Sequence, residues 1–299
     1  LDGAVSIHSV ERYLGDLAIE KGWTFTRPTE PSGHRVLVIG AGPAGLSAAY
    51  HLAMLGHDVE IHDAGDKVGG MMRYGIPEYR LPREILDAEV ARLTDLGIKI
   101  VLNHPVNDLM EEKAKGRFDA VFVAIGAHLS KRVDIPTVDA SRMVDAVSFL
   151  HNVAAGEKPL IGRRVAVYGG GNTAMDAARV AKRLGAEESI VVYRRTAEQM
   201  PAHAEEREEA EREGVQMNWL RTITDVGDDL TMELDEDGKP HGTGRYEKLE
   251  ADTVILAVGQ DADTSFLHKM PGMRFRNDVV DVNPSTLMTD VPGIFAGGD

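Results

Sequence analysis

The sequence constrains its own fold most strongly by repeating itself. Residues 36–63 read VLVIGAGPAGLSAAYHLAMLGHDVEIHD, and residues 165–195 read VAVYGGGNTAMDAARVAKRLGAEESIVVYRR. Each has a short apolar run, a glycine turn, a stretch of helical periodicity, a further Gly and a second apolar run. Each is followed by a matching element, FDAVFVAIGA at 118–127 and ADTVILAVGQ at 251–260. Gly40 and Gly126 lie 86 positions apart, and Gly169 and Gly259 lie 90 apart. Two different signals recurring at nearly one spacing point to one supersecondary unit built twice.

VLVI and VAVY are short and continuously apolar, as strands covered on both faces are. Leu46, Ala49, Leu52 and Ala53 recur at helical spacing after the first turn, as do Ala174, Ala177, Ala178, Ala181 and Leu184 after the second. This alternation predicts an α/β fold of two Rossmann-like, doubly wound units, the second inserted into the first. The expected limits are 33–136 and 261–299 for the first domain, and 137–260 for the second. Residues 1–32 read as a helical arm and linker, 203–214 (HAEEREEAEREG) as a solvated charged helix, and 235–245 as a surface hairpin or loop.

The glycines of GAGPAGL have separate tasks. Gly40 makes the tight turn, Gly42 lets the backbone approach a pyrophosphate, and Gly45 allows close helix–strand packing. Pro43, with Ala44 and Leu46 behind it, opens a helix whose N–H groups face that pyrophosphate. Asp63, 23 positions after Gly40, closes the second strand, where a carboxylate accepts both ribose hydroxyls. Gly69 and Gly70 let the next loop pass close to a ligand, and Gly298 and Asp299 of the final IFAGGD place an acid where a ribityl chain would lie. These residues predict an FAD site.

GGGNTA repeats the pattern with Gly169, Gly171 and the small Ala174, while Asn172 and Thr173 are placed to cap the helix. At the strand end where the first site has Asp63, the second has Tyr193-Arg194-Arg195. A carboxylate suits NADH, whereas paired guanidinium groups suit the 2′-phosphate of NADPH. The second site is therefore expected to take NADPH.

Composition removes several other functions. Net charge is −15, with no basic stripe, which argues against nucleic acid as a partner. No run approaches the roughly 20 apolar residues of a membrane span, and the first residues lack the features of a signal peptide. A cytoplasmic location is the default expectation. With no cysteine, these residues hold no redox disulfide and ligate no iron–sulfur cluster. The 11 histidines are scattered without metal-ligand spacing, so no metal site is expected.

In order, GAGPAGL, VGGMMRYGIPEYRLP, AIGA, GGGNTAMDAAR, VYRR…EQMPA, AVGQ and IFAGGD resemble the small (beta) subunit of glutamate synthase. They equally resemble the FAD/NADPH domains of dihydropyrimidine dehydrogenase and of ferredoxin:NADP transhydrogenases. The resemblance covers nearly the whole chain, and the GGxxRYGIPxYRLP stretch is its most specific part. It implies FAD contacts at Gly42 to Leu46, Asp63, Gly70, Met71, Arg80 and Asp299, with Gly126 of AIGA nearby. It implies NADPH contacts at Gly171, Asn172, Thr173, Arg194, Arg195 and the Ala257-Val258-Gly259 turn.

In that family a domain with cysteine-bound 4Fe–4S clusters precedes this region, and AVSIHSVERYLGDLAIEKGW looks like its last helix. The resemblance thus implies that 1–32 is the tail of an iron–sulfur domain, and that the FAD domain is cut at Asp299. It also implies the reaction. Hydride passes between NADPH and FAD, and electrons move on to iron–sulfur centres, a partner subunit or a ferredoxin-like carrier. Such transfer needs nicotinamide C4 held near flavin N5 rather than a catalytic side chain, so no catalytic residue is assigned. A flavin monooxygenase and a non-catalytic dinucleotide-binding module are the alternatives.

Overall fold

The computed structural model describes residues 5–26, 30–131, 133–236 and 239–298. In chain order the strands begin with β1 (Arg35–Ile39), β2 (Asp58–His62), β3 (Lys99–Val101), β4 (Ala120–Val123), β5 (Leu129–Ser130) and β6 (Met143–Asp145). They continue with β7 (Arg164–Tyr168), β8 (Glu188–Tyr193), β9 (Gln216–Trp219), β10 (Arg221–Val226), β11 (Leu230–Glu236) and β12 (Lys239–Leu249). The last are β13 (Thr253–Leu256), β14 (Gln260–Asp261), β15 (Phe275–Arg276), β16 (Val279–Val280) and β17 (Ile294–Ala296). Helices α1 (Ile7–Glu20), α2 (Pro43–Met54), α3 (Met71–Tyr74) and α4 (Arg83–Thr94) precede α5 (Leu109–Gly116). Then come α6 (Ala146–Ala154), α7 (Asn172–Arg183) and α8 (Ala204–Arg212).

The chain divides into two units. Leu1–Arg73, Glu78–Ala127 and Ala262–Asp299 form the first, while Tyr74–Pro77 and His128–Asp261 form the second. The division falls after 127, nine residues before the expected limit of 136. The cause is local: β5 pairs antiparallel with β14, so 128–130 go with the second unit.

Each unit has a five-stranded, all-parallel sheet, in the order β17-β4-β1-β2-β3 in the first and β6-β13-β7-β8-β9 in the second. The repeat therefore maps β1 onto β7, β2 onto β8, β3 onto β9 and β4 onto β13. Strand alternation sends Val38, Val59 and Ile61 to one face of the first sheet, against Leu46, Ala49 and Ala53 of α2. Leu37, Ile39, Val121 and Val123 go to the other face, with Leu109, Leu267 and Ile294. In the second unit Val165, Val167 and Val191 meet the alanines of α7.

Its opposite face is covered in a different way. Ala166, Ile190 and Val192 pack on Ile223, Leu230 and Met232, which belong to the antiparallel sheet β10-β11-β12. β11 and β12 form the expected hairpin, with residues 237–238 outside the described residues. The helix expected to be merely solvated has a further task. Buried Arg179 of α7 is gripped by Glu206 (3.4 Å) and Glu209 (2.9 Å) of α8 and by Glu213 (2.7 Å) just beyond it.

Candidate functional site

The two glycine turns are built alike. In the first, Gly40 N–H donates to the His62 carbonyl (2.9 Å) and Ala124 N–H to the Ile39 carbonyl (2.8 Å). In the second, Gly169 N–H donates to the Val192 carbonyl (3.1 Å) and Ala257 N–H to the Tyr168 carbonyl (2.8 Å). Gly40 has φ +106, and a Cβ there would lie 2.2 Å from the Ala124 carbonyl oxygen; at Gly169, with φ +149, it would lie 2.1 Å from that of Ala257. Both positions require glycine on two counts, backbone conformation and space.

The sites differ at the third small position. A Cβ on Gly45 would lie 1.9 Å from the Gly40 carbonyl oxygen, so α2 sits closer to its turn than a side chain allows. Its counterpart Ala174 is accommodated, fully buried. Around the first turn the predicted residues converge. Gly69 N–H donates to the Ala41 carbonyl (2.9 Å), which presses the 69–70 loop onto the turn. A Cβ on Gly70 would stand 2.8 Å from Gly42 Cα, and one on Gly298 would stand 2.8 Å from the Ala44 methyl. Met71 opens α3 behind that loop. Arg80 is half-buried between α3 and α4, and Gly126 (φ +69) has open space on its Cβ side. Asp299 lies outside the described residues.

Asp63 is tied into the turn itself. Its Oδ2 accepts the Ala41 N–H (2.6 Å) and its Oδ1 the Gly65 N–H (2.7 Å). Each carboxylate oxygen keeps a second lone pair for another donor. Local sequence does not identify Arg73 as the other holding residue. Buried, it donates to the Val68 carbonyl and pairs with Asp87. A lone cation in the apolar run MMRYGIP was the available signal.

A cleft of about 560 Å³ opens in the second unit. Gly169, Gly171, Thr173, Arg194, Arg195, Ala257, Val258 and Gly259 all line it. Asn172 and Ala174 do not line it, and the capping expected of Asn172 and Thr173 is not made. Gly171 is the N-cap of α7, without a side-chain cap, and Asn172 Oδ1 instead accepts the His203 N–H (3.1 Å). The glycine turn moves the helix start one residue earlier and turns Asn172 toward the α8 entry. Lys131, Tyr168, Tyr193 and Gln260 line it as well, and none of the four was expected from sequence as a contact residue.

Burial pushes the Tyr168 hydroxyl pKa up, which keeps it a neutral donor. Beside it Ser130 donates to Asp145 (2.6 Å). Burial would raise the Asp145 carboxyl, but hydrogen bonds from Ser130 and Ser148 outweigh it and hold that carboxyl low. Arg194 is exposed and Arg195 half-buried, and among the described residues neither has a carboxylate partner.

His62 and His104, distant in sequence, are brought together by the fold: their rings lie 4.5 Å apart in the first unit, within reach of Glu112. Strand order, invisible in residue spacing, brings them together.

Two parallel α/β units, each with a glycine turn at the end of its first strand, define the class: a two-dinucleotide-binding oxidoreductase fold. The chain belongs to the pyridine nucleotide-disulphide oxidoreductase family, whose pattern matches residues 34–299. It is 38% identical over its whole length to the NADP(+)-dependent formate dehydrogenase subunit beta of Moorella thermoacetica, and spans 48% of that protein. With the glutamate synthase (NADPH) small chain of Azospirillum brasilense it shares 33% identity over 99% of its length and 68% of the relative's. The chain thus spans about half the length of the first of these. Mycobacterium tuberculosis FprA in complex with NADPH shares the fold, with a TM-score of 0.72 at 17% identity over 90% of this chain and 79% of that one. Among the described residues no helix is long and apolar enough to cross a membrane.

Proposed function

We propose that this chain is the reductase core of a flavoenzyme, which binds FAD at the first turn and NADPH at the second and passes hydride between them. The observation that carries this reading is the contrast at equivalent strand ends, an acid (Asp63) after β2 and paired arginines (Arg194, Arg195) after β8. When bound, nicotinamide and flavin supply the redox chemistry themselves. The chain's own residues bind, orient and balance charge.

Both sites fit these groups. At the first, a Cβ on Gly42 would meet nothing closer than Gly70 Cα at 3.9 Å, and α2 begins without a side-chain cap, its N–H groups free to face a pyrophosphate. At the second, a Cβ on Gly171 would meet nothing within 4 Å, and α7 also begins without a side-chain cap. Gln260 Nε2, in a residue lining the cleft, is buried with no hydrogen-bond partner among the described residues. It is a donor in want of an acceptor. The guanidinium groups of Arg194 and Arg195 offer planar donors to a 2′-phosphate.

The relatives named above are subunits of larger enzymes. By that likeness we infer that the electrons leave this core for iron–sulfur centres, in a partner subunit, an upstream domain or a ferredoxin-like carrier. An anaerobic titration of the full-length protein with NADPH and NADH, following flavin bleaching, tests the reading. NADPH is expected to bleach the flavin near stoichiometrically, and NADH only at much higher concentration. A flavin that stays oxidised under NADPH would overturn it.

A further inference from the structure

Three side chains in the first unit meet as a ligand set. His62 ends β2, His104 follows β3, and Glu112 sits on α5, with one nitrogen or oxygen from each within 4.8 Å of the others. Glu112 Oε1 stands 3.1 Å from His104 Nε2 and 3.4 Å from His62 Nδ1. A tetrahedral zinc ion holds nitrogen and carboxylate oxygen at about 2.0–2.1 Å, which sets neighbouring ligand atoms about 3.3–3.4 Å apart. Two edges of the triangle are already near that length.

His62 supplies the independent sign. Its side chain is 5% exposed, and Nδ1 is buried with no hydrogen-bond partner among the described residues. Nε2 lies 2.9 Å from Glu60 Oε1. A proton on Nε2, donated to Glu60, leaves the Nδ1 lone pair facing the Glu112 carboxylate. Two acceptors face each other there, an arrangement that a cation between them resolves. A ring whose outer N–H is held by a carboxylate is also the usual orientation of a metal-bound histidine. Glu60 is steadied in turn by Arg35 at 3.4 Å.

We propose that His62 Nδ1, His104 Nε2 and the Glu112 carboxylate bind one divalent transition-metal ion of the zinc class, with Glu60 orienting His62. Neutral imidazole and carboxylate ligands suit zinc better than magnesium or calcium, which take oxygen. The site adjoins the first turn through the backbone, since His62 carbonyl accepts the Gly40 N–H (2.9 Å) and His104 N–H donates to the Asp63 carbonyl (2.8 Å). Its role is to clamp the end of β2, the residues after β3 and α5 behind the proposed flavin turn. No redox step is assigned to it.

The test uses the full chain without a polyhistidine tag, stripped by chelator and titrated with zinc against a chromophoric competitor. One zinc per chain is expected, with a Tm that rises by several degrees on binding. His104→Gln and Glu112→Gln, at half-buried positions, are each expected to lower zinc affinity at least tenfold and to abolish the rise. Glu60→Gln, which leaves all three ligands in place, is expected to weaken binding about 10- to 100-fold. The unliganded Tm and far-UV spectrum of each variant report whether it folds. Failure to bind zinc, or binding equally tight in folded His104→Gln and Glu112→Gln, overturns the proposal. None of these readouts involves flavin or NADPH, so the result stands apart from the fate of the reductase reading.

Discussion

In the reading proposed above, selectivity between nucleotides rests on single side chains at the ends of β2 and β8. The two ends are not equally free. Both Asp63 oxygens already accept backbone N–H groups, so this acid shapes its turn as well as facing a ligand. Arg194 and Arg195 hold no carboxylate among the described residues and stand ready for an incoming phosphate. Loss of one charge-assisted contact costs roughly 1.5–3 kcal/mol. Arg194→Ala is therefore expected to raise the apparent constant for NADPH by about 10- to 100-fold while leaving that for NADH nearly unchanged, as read by steady-state flavin reduction. Equal losses for both nucleotides would remove Arg194 from the 2′-phosphate site.

At the scale of the elements, glycines that look equivalent in GGGNTA have opposite tasks. Gly169 is required by the fold: with φ +149 and a Cβ 2.1 Å from a carbonyl oxygen, alanine there combines strain with overpacking. Gly169→Ala is expected to cost roughly 3–5 kcal/mol, seen as a large drop in Tm. Gly171 has φ −87 and ψ 176, a backbone open to any residue, and nothing where its Cβ would go. Gly171→Ala should lose only about 1 kcal/mol as a poorer helix cap, yet bind NADPH at least tenfold more weakly, because the methyl takes the space proposed for the pyrophosphate. Normal NADPH binding by folded Gly171→Ala would place the phosphates elsewhere. Such distinctions mark the limit of what was legible in sequence. Strand, glycine turn and helix recur locally, so the two sheets and most of the second cleft could be read from residues a few positions apart. The antiparallel cover of the second sheet, the Arg179 clamp, Lys131 in the cleft wall, and the His62–His104 pair could not. Each depends on contacts between elements far apart in the chain, which periodicity does not report.

Across the whole molecule the duplication extends beyond the turns to the far ends of the strands, where it sets a common response to acid. In the first unit Arg35 N–H donates to Asp119 Oδ2 (2.8 Å), and Asp119 N–H donates back to the Arg35 carbonyl (2.8 Å). In the second, Arg164 N–H donates to Asp252 Oδ2 (2.8 Å), and Asp252 N–H to the Arg164 carbonyl (2.7 Å). The same reciprocal pair thus locks β1 to the start of β4 and β7 to the start of β13. The backbone N–H of Arg35 holds the Asp119 carboxyl below its ordinary value, and that of Arg164 does the same for Asp252. A carboxyl whose pKa is lower folded than unfolded binds fewer protons in the native state, so its contribution is fully present above the unfolded value of about 3.9. It fades as the pH falls through the lowered folded values. Denaturant midpoints measured from pH 6 to pH 3 should therefore drop steeply below about pH 4. In an Asp119→Asn, Asp252→Asn double variant the amide oxygens can still accept the N–H groups, but no proton is linked to folding at these sites. Its midpoint at pH 6 is expected to lie below that of the parent, with a shallower decline toward pH 3. A decline as steep as the parent's would show that other carboxylates govern acid unfolding, and that the paired strand locks are neutral to pH.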